Sequence, residues 1–262
     1  MKGALSTDEA VLPTLLTALR LPSIARHWRR IAEIADREGW SAAKVLATLM
    51  ELEVAERTER RTQRHRTQSE LPEGKTFATF DFGAAPGVRK PHLLALAAGD
   101  GWIKTGDNLL VFGQSGTGKS HTVAAIGHAL IDAGHRVLFS ATTDMVQRLQ
   151  TARRDLALAA TLDKLDKFEL IILDEFSYVR KDQAETSVLF EFIAHRYERH
   201  SIAITANQPF STWGNVFPDP AMTVAAIDRL VHHSTIIEMN GESYRRRSAV
   251  ARSAAPEAAT DS

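Results

Sequence analysis

Residues 108–120 read NLLVFGQSGTGKS, and this stretch decides the fold. The apolar run from Asn108 to Phe112 is short and unbroken, as in a strand buried on both faces. It leads directly into Gly113–Ser120, a full G-x-x-x-x-G-K-[ST] string. Residues Lys119 to Ala133 then predict a helix, ended by Gly134. Strand, glycine-rich turn and helix in that order make a phosphate cradle. The glycines let backbone N–H groups point inward, and the helix N-terminus adds a positive dipole end. Lys119 supplies a point charge for β- and γ-phosphates, and Ser120 a hydroxyl for Mg²⁺.

Working outward, strands and helices alternate. RVLFS (Arg136–Ser140), ELIIL (Glu169–Leu173), SIAITA (Ser201–Ala206) and Thr235–Met239 read as strands. Thr143 to about Ala160, Ala184–Arg199 and Ala221–His233 read as helices. This is the pattern of an α/β P-loop protein, a parallel sheet covered by helices. The strand LIIL delivers Asp174 and Glu175 at its end. Asp174 can hold Mg²⁺ through its water shell, and Glu175 can orient and deprotonate an attacking water. A nucleoside kinase needs no such second carboxylate. RVLFS, between the two motifs, suggests the P-loop ATPases with an inserted strand and a catalytic glutamate. Asn207 can bond the lytic water or the γ-phosphate, or can simply start the turn before Pro209. Arg229, in AIDRLVHH, can act as a finger on developing γ-phosphate charge, often from a neighbouring subunit, or can form an ion pair. For YRRR (Tyr244–Arg247), a solvated basic tail is favoured over nucleotide sensing. His232 and His233 have no matching ligands at metal spacing and read as surface or packing residues.

Lys plus Arg and Asp plus Glu both number 32, so the net charge of zero does not itself announce a nucleic-acid binder. The absence of cysteine excludes disulfides, thiolate metal sites and cysteine nucleophiles. No apolar run approaches a membrane span and no export signal is visible, so a cytoplasmic protein without membrane contact is expected.

Residues 1–68 read as a helical adaptor domain. Pro13 is expected in the first turn of helix one, Pro22 and Ser23 open the second, Gly39 ends it, and Ser41 caps a third. The run Arg57–Arg66 holds five arginines and is a candidate for contact with DNA or a partner protein. Residues 69–90 read as a linker whose Phe77, Phe80 and Phe82 pin it to the next domain, a reading favoured over base stacking. The ATPase domain is expected over 91–247, and 248–262 as a disordered tail.

Several segments carry a resemblance far more specific than the P-loop. They are GKTFATFDF (74–82), GQSGTGKSH (113–121), FEFIAHRYERHSIAITANQPFSTWGNVFPD (190–219) and IDRLVHHSTIIEMNGESYR (227–245). Together with LRLP at Leu19–Pro22 they resemble the IstB-like transposition helper ATPases, relatives of the helicase loader DnaC, over about residues 12–247. Phe176-Ser177 departs from the apolar residue and glycine often found after the acidic pair. The resemblance implies an AAA+ fold without a substantial C-terminal lid, after a small helical N-terminal domain. It implies ATP and Mg²⁺ as ligands, self-assembly as a homo-oligomer on duplex DNA, and an integrase-type transposase as partner. The implied nucleotide set is Gly113, Gln114, Ser115, Gly116, Thr117, Gly118, Lys119, Ser120, His121 and Asp174. Ser120 and Asp174 serve Mg²⁺, and Lys119, Glu175, Asn207 (sensor) and Arg229 (finger) serve catalysis. Arg148, Arg153 and Arg154, on a helix that faces the central channel in such initiator-like ATPases, are the implied DNA contacts, the alternative being a solvated helix face. The alternative function is a helicase loader of the DnaC type.

Overall fold

The computed structural model describes residues 7–85, 87–99, 101–176, 183–208, 213, 219–241 and 243–244. Ser177, Pro209, Arg245–Arg247 and the tail 248–262 lie outside the described residues. The chain divides into two compact units, Met1–Arg64 and His65–Ser262.

The first unit is helical: α1 (Thr7–Ala18), α2 (Pro22–Glu38) and α3 (Ala42–Gln68), the last running on into the second unit. Pro13 sits inside α1, not in its first turn, because the helix already begins at Thr7. Proline offers no N–H to the carbonyl one turn back. Helix α2 starts on Pro22 and has no side-chain cap of its own. Glu53 of α3 takes that role: its carboxylate accepts the N–H of Ser23 at 2.8 Å and of Ile24 at 3.3 Å. Burial pushes the Glu53 carboxyl up, but the N–H groups of Ile24 and Ser23, the Ser23 hydroxyl and the Arg57 charge together outweigh it and hold its pKa below the ordinary value. Gly39 closes α2 at φ +64°. The basic run Arg57–Arg66 is no separate segment but the continuation of α3. Arg57 and Arg60 are bonded within the unit, to the Arg20 carbonyl and Ser23 Oγ as well as to Glu53. The core is small: Leu16, Ile24, Trp28 and Leu49.

The second unit adds α4 (Lys90–Ala98), α5 (Trp102–Thr105), β1 (Asn108–Gly113), α6 (Lys119–Asp132), β2 (Val137–Ala141), α7 (Thr142–Arg154), α8 (Leu158–Leu165), β3 (Leu170–Asp174), α9 (Gln183–Arg196), β4 (Ser201–Ala206), α10 (Pro220–Val231) and β5 (Ser234–Met239). The strands form one parallel sheet in the order β2-β3-β4-β1-β5. Alternate strand residues feed two cores, as a pleat requires. Leu110, Phe112, Ile171, Leu173, Ile202 and Ile204 join α7, α9 and α10 on one face. Leu109, Val111, Leu170, Ile172 and Ala203 join α4 and α6 on the other.

Three sequence expectations change. The helix expected from Thr143 to about Ala160 is two, α7 and α8, broken at Leu156, which has φ +55° and is 95% exposed. The strand separating the P-loop strand from the acid-bearing strand is β4 rather than RVLFS, which lies at the sheet edge. Residues 69–85, expected as part of a linker, belong to the second unit and pack within it. Leu71 and Phe80 are buried in the core beside α6, and Phe77 and Phe82 pack against it. The phenylalanines therefore serve packing.

Candidate nucleotide site

The loop between β1 and α6 can close only with glycine. Gly113 has φ +152° and Gly116 φ +84°; a Cβ at Gly113 would collide with the Met239 carbonyl, and one at Gly116 with Ser243 Oγ. Lys119 is 7% exposed, and its ammonium donates to the carbonyls of Gly113 at 2.8 Å and Gln114 at 2.9 Å. The cation thus lies folded over the loop that carries it.

The acidic end of β3 is tied to three neighbouring elements. Ser120 Oγ donates to Asp174 Oδ1 at 2.8 Å. Thr142 Oγ1 donates to the Asp174 carbonyl at 2.7 Å. Thr205 Oγ1 bonds the Asp174 carboxylate and accepts the Glu175 N–H at 3.0 Å. Glu175 itself adopts φ +59°, a left-handed conformation uncommon outside glycine and asparagine. The following Phe176 is fully buried against Trp213, 4.7 Å between ring centroids.

These groups open on a cavity of about 270 Å³ lined by residues 115–121, Glu175, Thr205 and Asn207. Lys75, Thr79 and Asp81 line it too, from the segment expected to be a linker, as does Tyr244. The same segment fixes His121, whose Nε2 lies 2.9 Å from the Thr76 carbonyl and 3.3 Å from Thr79 Oγ1. Sequence reasoning missed Thr205, Lys75, Thr79 and Asp81. Only the phenylalanine pattern of 77–82 signalled that this segment is anchored at all.

Arg229 lies elsewhere. The Asn108 side chain, at the first residue of β1, is 3.5 Å from the Arg229 carbonyl and donates to that of Leu230 at 3.1 Å. The P-loop leaves the other end of that six-residue strand, about 16 Å away at about 3.3 Å per residue. The Arg229 guanidinium donates to the Ala225 carbonyl at 2.8 Å and stands over the rings of Phe190 at 5.2 Å and Tyr197 at 6.0 Å. It is held by its own helix and two aromatic rings, with no carboxylate within ion-pair distance among the described residues. His232 and His233, expected to lack ligand partners, are joined by Glu198.

Of the implied DNA contacts, Arg148 is exposed on α7. Arg153 bonds Ser187 Oγ at 3.0 Å and pairs with Glu191, both of α9. Arg154 is exposed and reaches Asp155 at 3.3 Å. Among the described residues no helix is long and apolar enough to cross a membrane.

Known proteins resemble this chain over most of its length. A Sinorhizobium fredii protein named as an insertion sequence ATP-binding protein is 60% identical over 251 residues, 95% of this chain and 84% of that protein. A Pseudomonas aeruginosa protein named for ATP binding in insertion sequence IS21 is 33% identical, over 89% and 88% of the two chains. Among solved structures, AMPPCP-bound DnaA from Aquifex aeolicus matches with TM-score 0.55 at 15% identity, over 71% of this chain and 56% of that one. A structure of DnaI matches with TM-score 0.53 at 17% identity, over 66% and 96%. These likenesses give the second unit an AAA+ fold, with no helical lid among the described residues after β5. The family profile described as IstB-like ATP binding protein matches residues 14–252, and the chain belongs to that family of insertion-sequence ATP-binding proteins.

Proposed function

We propose that this chain is an ATP-hydrolysing transposition helper. It self-assembles on duplex DNA in the cytoplasm, recruits an integrase-type transposase and uses hydrolysis to regulate the assembly. The observation that carries this reading is the meeting of Lys119, Ser120, Glu175 and Asn207 around one cavity, with Asp174 bonded to Ser120, while Arg229 stands at the far end of β1. A phosphate entering the loop takes the Lys119 ammonium from the Gly113 and Gln114 carbonyls. The Ser120 hydroxyl and Asp174 carboxylate are hard oxygen donors already in contact, the donor set Mg²⁺ prefers, and they would hold it. The ion supplies charge neutralisation on the phosphates. Glu175 accepts the proton of the attacking water, and Asn207, from the next strand, orients that water or the γ-phosphate.

An arginine side chain spans about half of the 16 Å between Arg229 and its own P-loop, so as a finger it serves a neighbouring subunit. Exposed Arg148 and Arg154 bind DNA phosphates without reading bases, with Arg153 contributing less because α9 holds it. The relatives named for insertion sequences support the transposition context. The helical unit of residues 1–64 is the adaptor towards the transposase.

The test is Glu175→Gln. It should bind ATP normally and hydrolyse it about 10²–10⁴-fold more slowly, the range for a lost general base. The parental ATPase should respond more to duplex than to single-stranded DNA. Parental hydrolysis by the variant rejects the assignment of the base, and preferential stimulation by single strands rejects the duplex-directed role.

A further inference from the structure

Away from the nucleotide cavity, three exposed side chains converge where the turn between α9 and β4 meets the end of α10. Glu198, His232 and His233 each offer one ligand atom, all within 4.8 Å of one another. Glu198 Oε1 is 3.8 Å from His232 Nδ1 and 3.8 Å from His233 Nε2. The two imidazole centroids are 4.0 Å apart. We propose that these three residues form a binding site for a transition-metal ion of the Zn²⁺ class.

The fit is close. Ligand atoms bonded tetrahedrally at about 2.0–2.2 Å stand about 3.4 Å apart. The observed separations close with small rotations of side chains that are each about half exposed. Two imidazoles and one carboxylate select Zn²⁺ and its neighbours over Mg²⁺ or Ca²⁺, which prefer oxygen alone. Three protein ligands leave a fourth position for water or an incoming group. A divalent cation engages both rings and the carboxylate together.

The backbone holds all three ligands in place. Glu198 is kept at φ +55°, and the turn is packed so closely on Gly106 that a Cβ there would lie 3.1–3.2 Å from the backbone of Arg199 and Glu198. The His232 N–H donates to the Asp228 carbonyl at 2.9 Å, and the His233 carbonyl accepts the Asn108 N–H at 2.7 Å. The Tyr197 hydroxyl, 2.9 Å from His232 Nδ1 and also interacting with Glu198, can donate to the ligand carboxylate once the ion occupies the ring nitrogen. A bound ion would thus tie together the two segments that frame Arg229, which stands over the Tyr197 ring. This consequence, unlike the site itself, rests on the role proposed above for Arg229.

The experiment titrates the untagged, chelator-treated full chain with Co²⁺, an optical stand-in for Zn²⁺, in excess Mg²⁺ and without nucleotide or DNA. Visible ligand-field absorption should saturate at one ion per chain and disappear as Zn²⁺ displaces Co²⁺. E198Q, H232A and H233A should each weaken binding by about tenfold or more, whereas H92A, at an exposed histidine on α4, should not. Metal-free thermal midpoints check that the variants fold, and E198Q preserves side-chain shape should a histidine variant fail. Parental Co²⁺ affinity in folded E198Q, or no saturable absorption in the parental chain, overturns the site. Because no nucleotide is present, the ATPase assignment can fail without touching this result, and the reverse.

Discussion

Thr205→Val isolates the residue that joins the two acids. The side chain is fully buried, and its hydroxyl bonds the Asp174 carboxylate while accepting the Glu175 N–H. Valine keeps the volume and the β-branch and deletes only that hydroxyl. A hydrogen bond to a charged group is worth about 1.5–3 kcal/mol, and leaving the partly buried Glu175 N–H without its acceptor costs at the low end of the about 1–3 kcal/mol of a buried group. Ser120 still supports Asp174, so the lower part of the combined range applies, about 2.5–4 kcal/mol of unfolding free energy. The kinetic effect should follow from Glu175. Its left-handed backbone is held by the bond that valine removes, and misplacement of a catalytic group by about 1 Å costs on the order of 10²-fold. Turnover with duplex DNA should therefore fall about 10- to 100-fold, with ATP affinity near parental because the P-loop is untouched. Urea unfolding, fluorescent-nucleotide titration and single-turnover hydrolysis measure the three quantities, and Thr205→Ser should restore most of each. A folded valine variant that hydrolyses ATP at the parental rate refutes the argument.

Other perturbations separate further parts of the reasoning. Arg229→Ala should bind ATP normally yet hydrolyse it about 10³-fold more slowly, and mixing it with Lys119→Ala should restore part of the activity; near-parental hydrolysis by Arg229→Ala alone, with no gain on mixing, rejects a finger acting between subunits. Glu53→Gln should destabilise α2 by about 1–3 kcal/mol at neutral pH, read by hydrogen exchange over residues 22–38. The folded Glu53 pKa lies below its ordinary value of 4.5, so its contribution is present above about pH 4.5 and lost as pH falls through the folded value. Parental and variant chains should therefore converge in acid, and a difference independent of pH refutes the capping role. Leu156→Gly should raise stability by about 0.5–1 kcal/mol in a thermal melt, because relief of the left-handed strain exceeds the added unfolded-state entropy.

The phosphate loop and the acids at the end of β3 were legible in the sequence because their chemistry is local. Consecutive residues wrap a phosphate, and an apolar strand announces where its polar end emerges. Thr205 was not legible, because its role depends on strand neighbours distant in sequence. It acts on Asp174 only because β4 pairs with β3, with Ile204 opposite Leu173. The same pairing placed β4, not RVLFS, between the two motifs. The break at Leu156 and the left-handed Glu198 escaped because each has a residue that gives no turn signal where glycine or asparagine would have given one. Residues 69–85 were legible in part: Phe77, Phe80 and Phe82 announced that the segment is pinned, but not that Leu71 and Phe80 are buried in the core beside α6.

The separation of the P-loop from Arg229 by the length of β1 gives the second unit two unlike poles. If the arginine at one pole completes the site at the other, the contact between subunits is head to tail and cannot be satisfied by a two-fold pair. Such a contact repeats until it closes on itself or runs on as a polar filament. An open row of n subunits then holds n − 1 complete sites, so one terminal chain always carries nucleotide it cannot cleave. The two ends differ chemically, one offering a waiting phosphate cradle and the other an idle guanidinium. Growth and shedding would then proceed at different rates at the two ends, giving the row a direction along any DNA it follows.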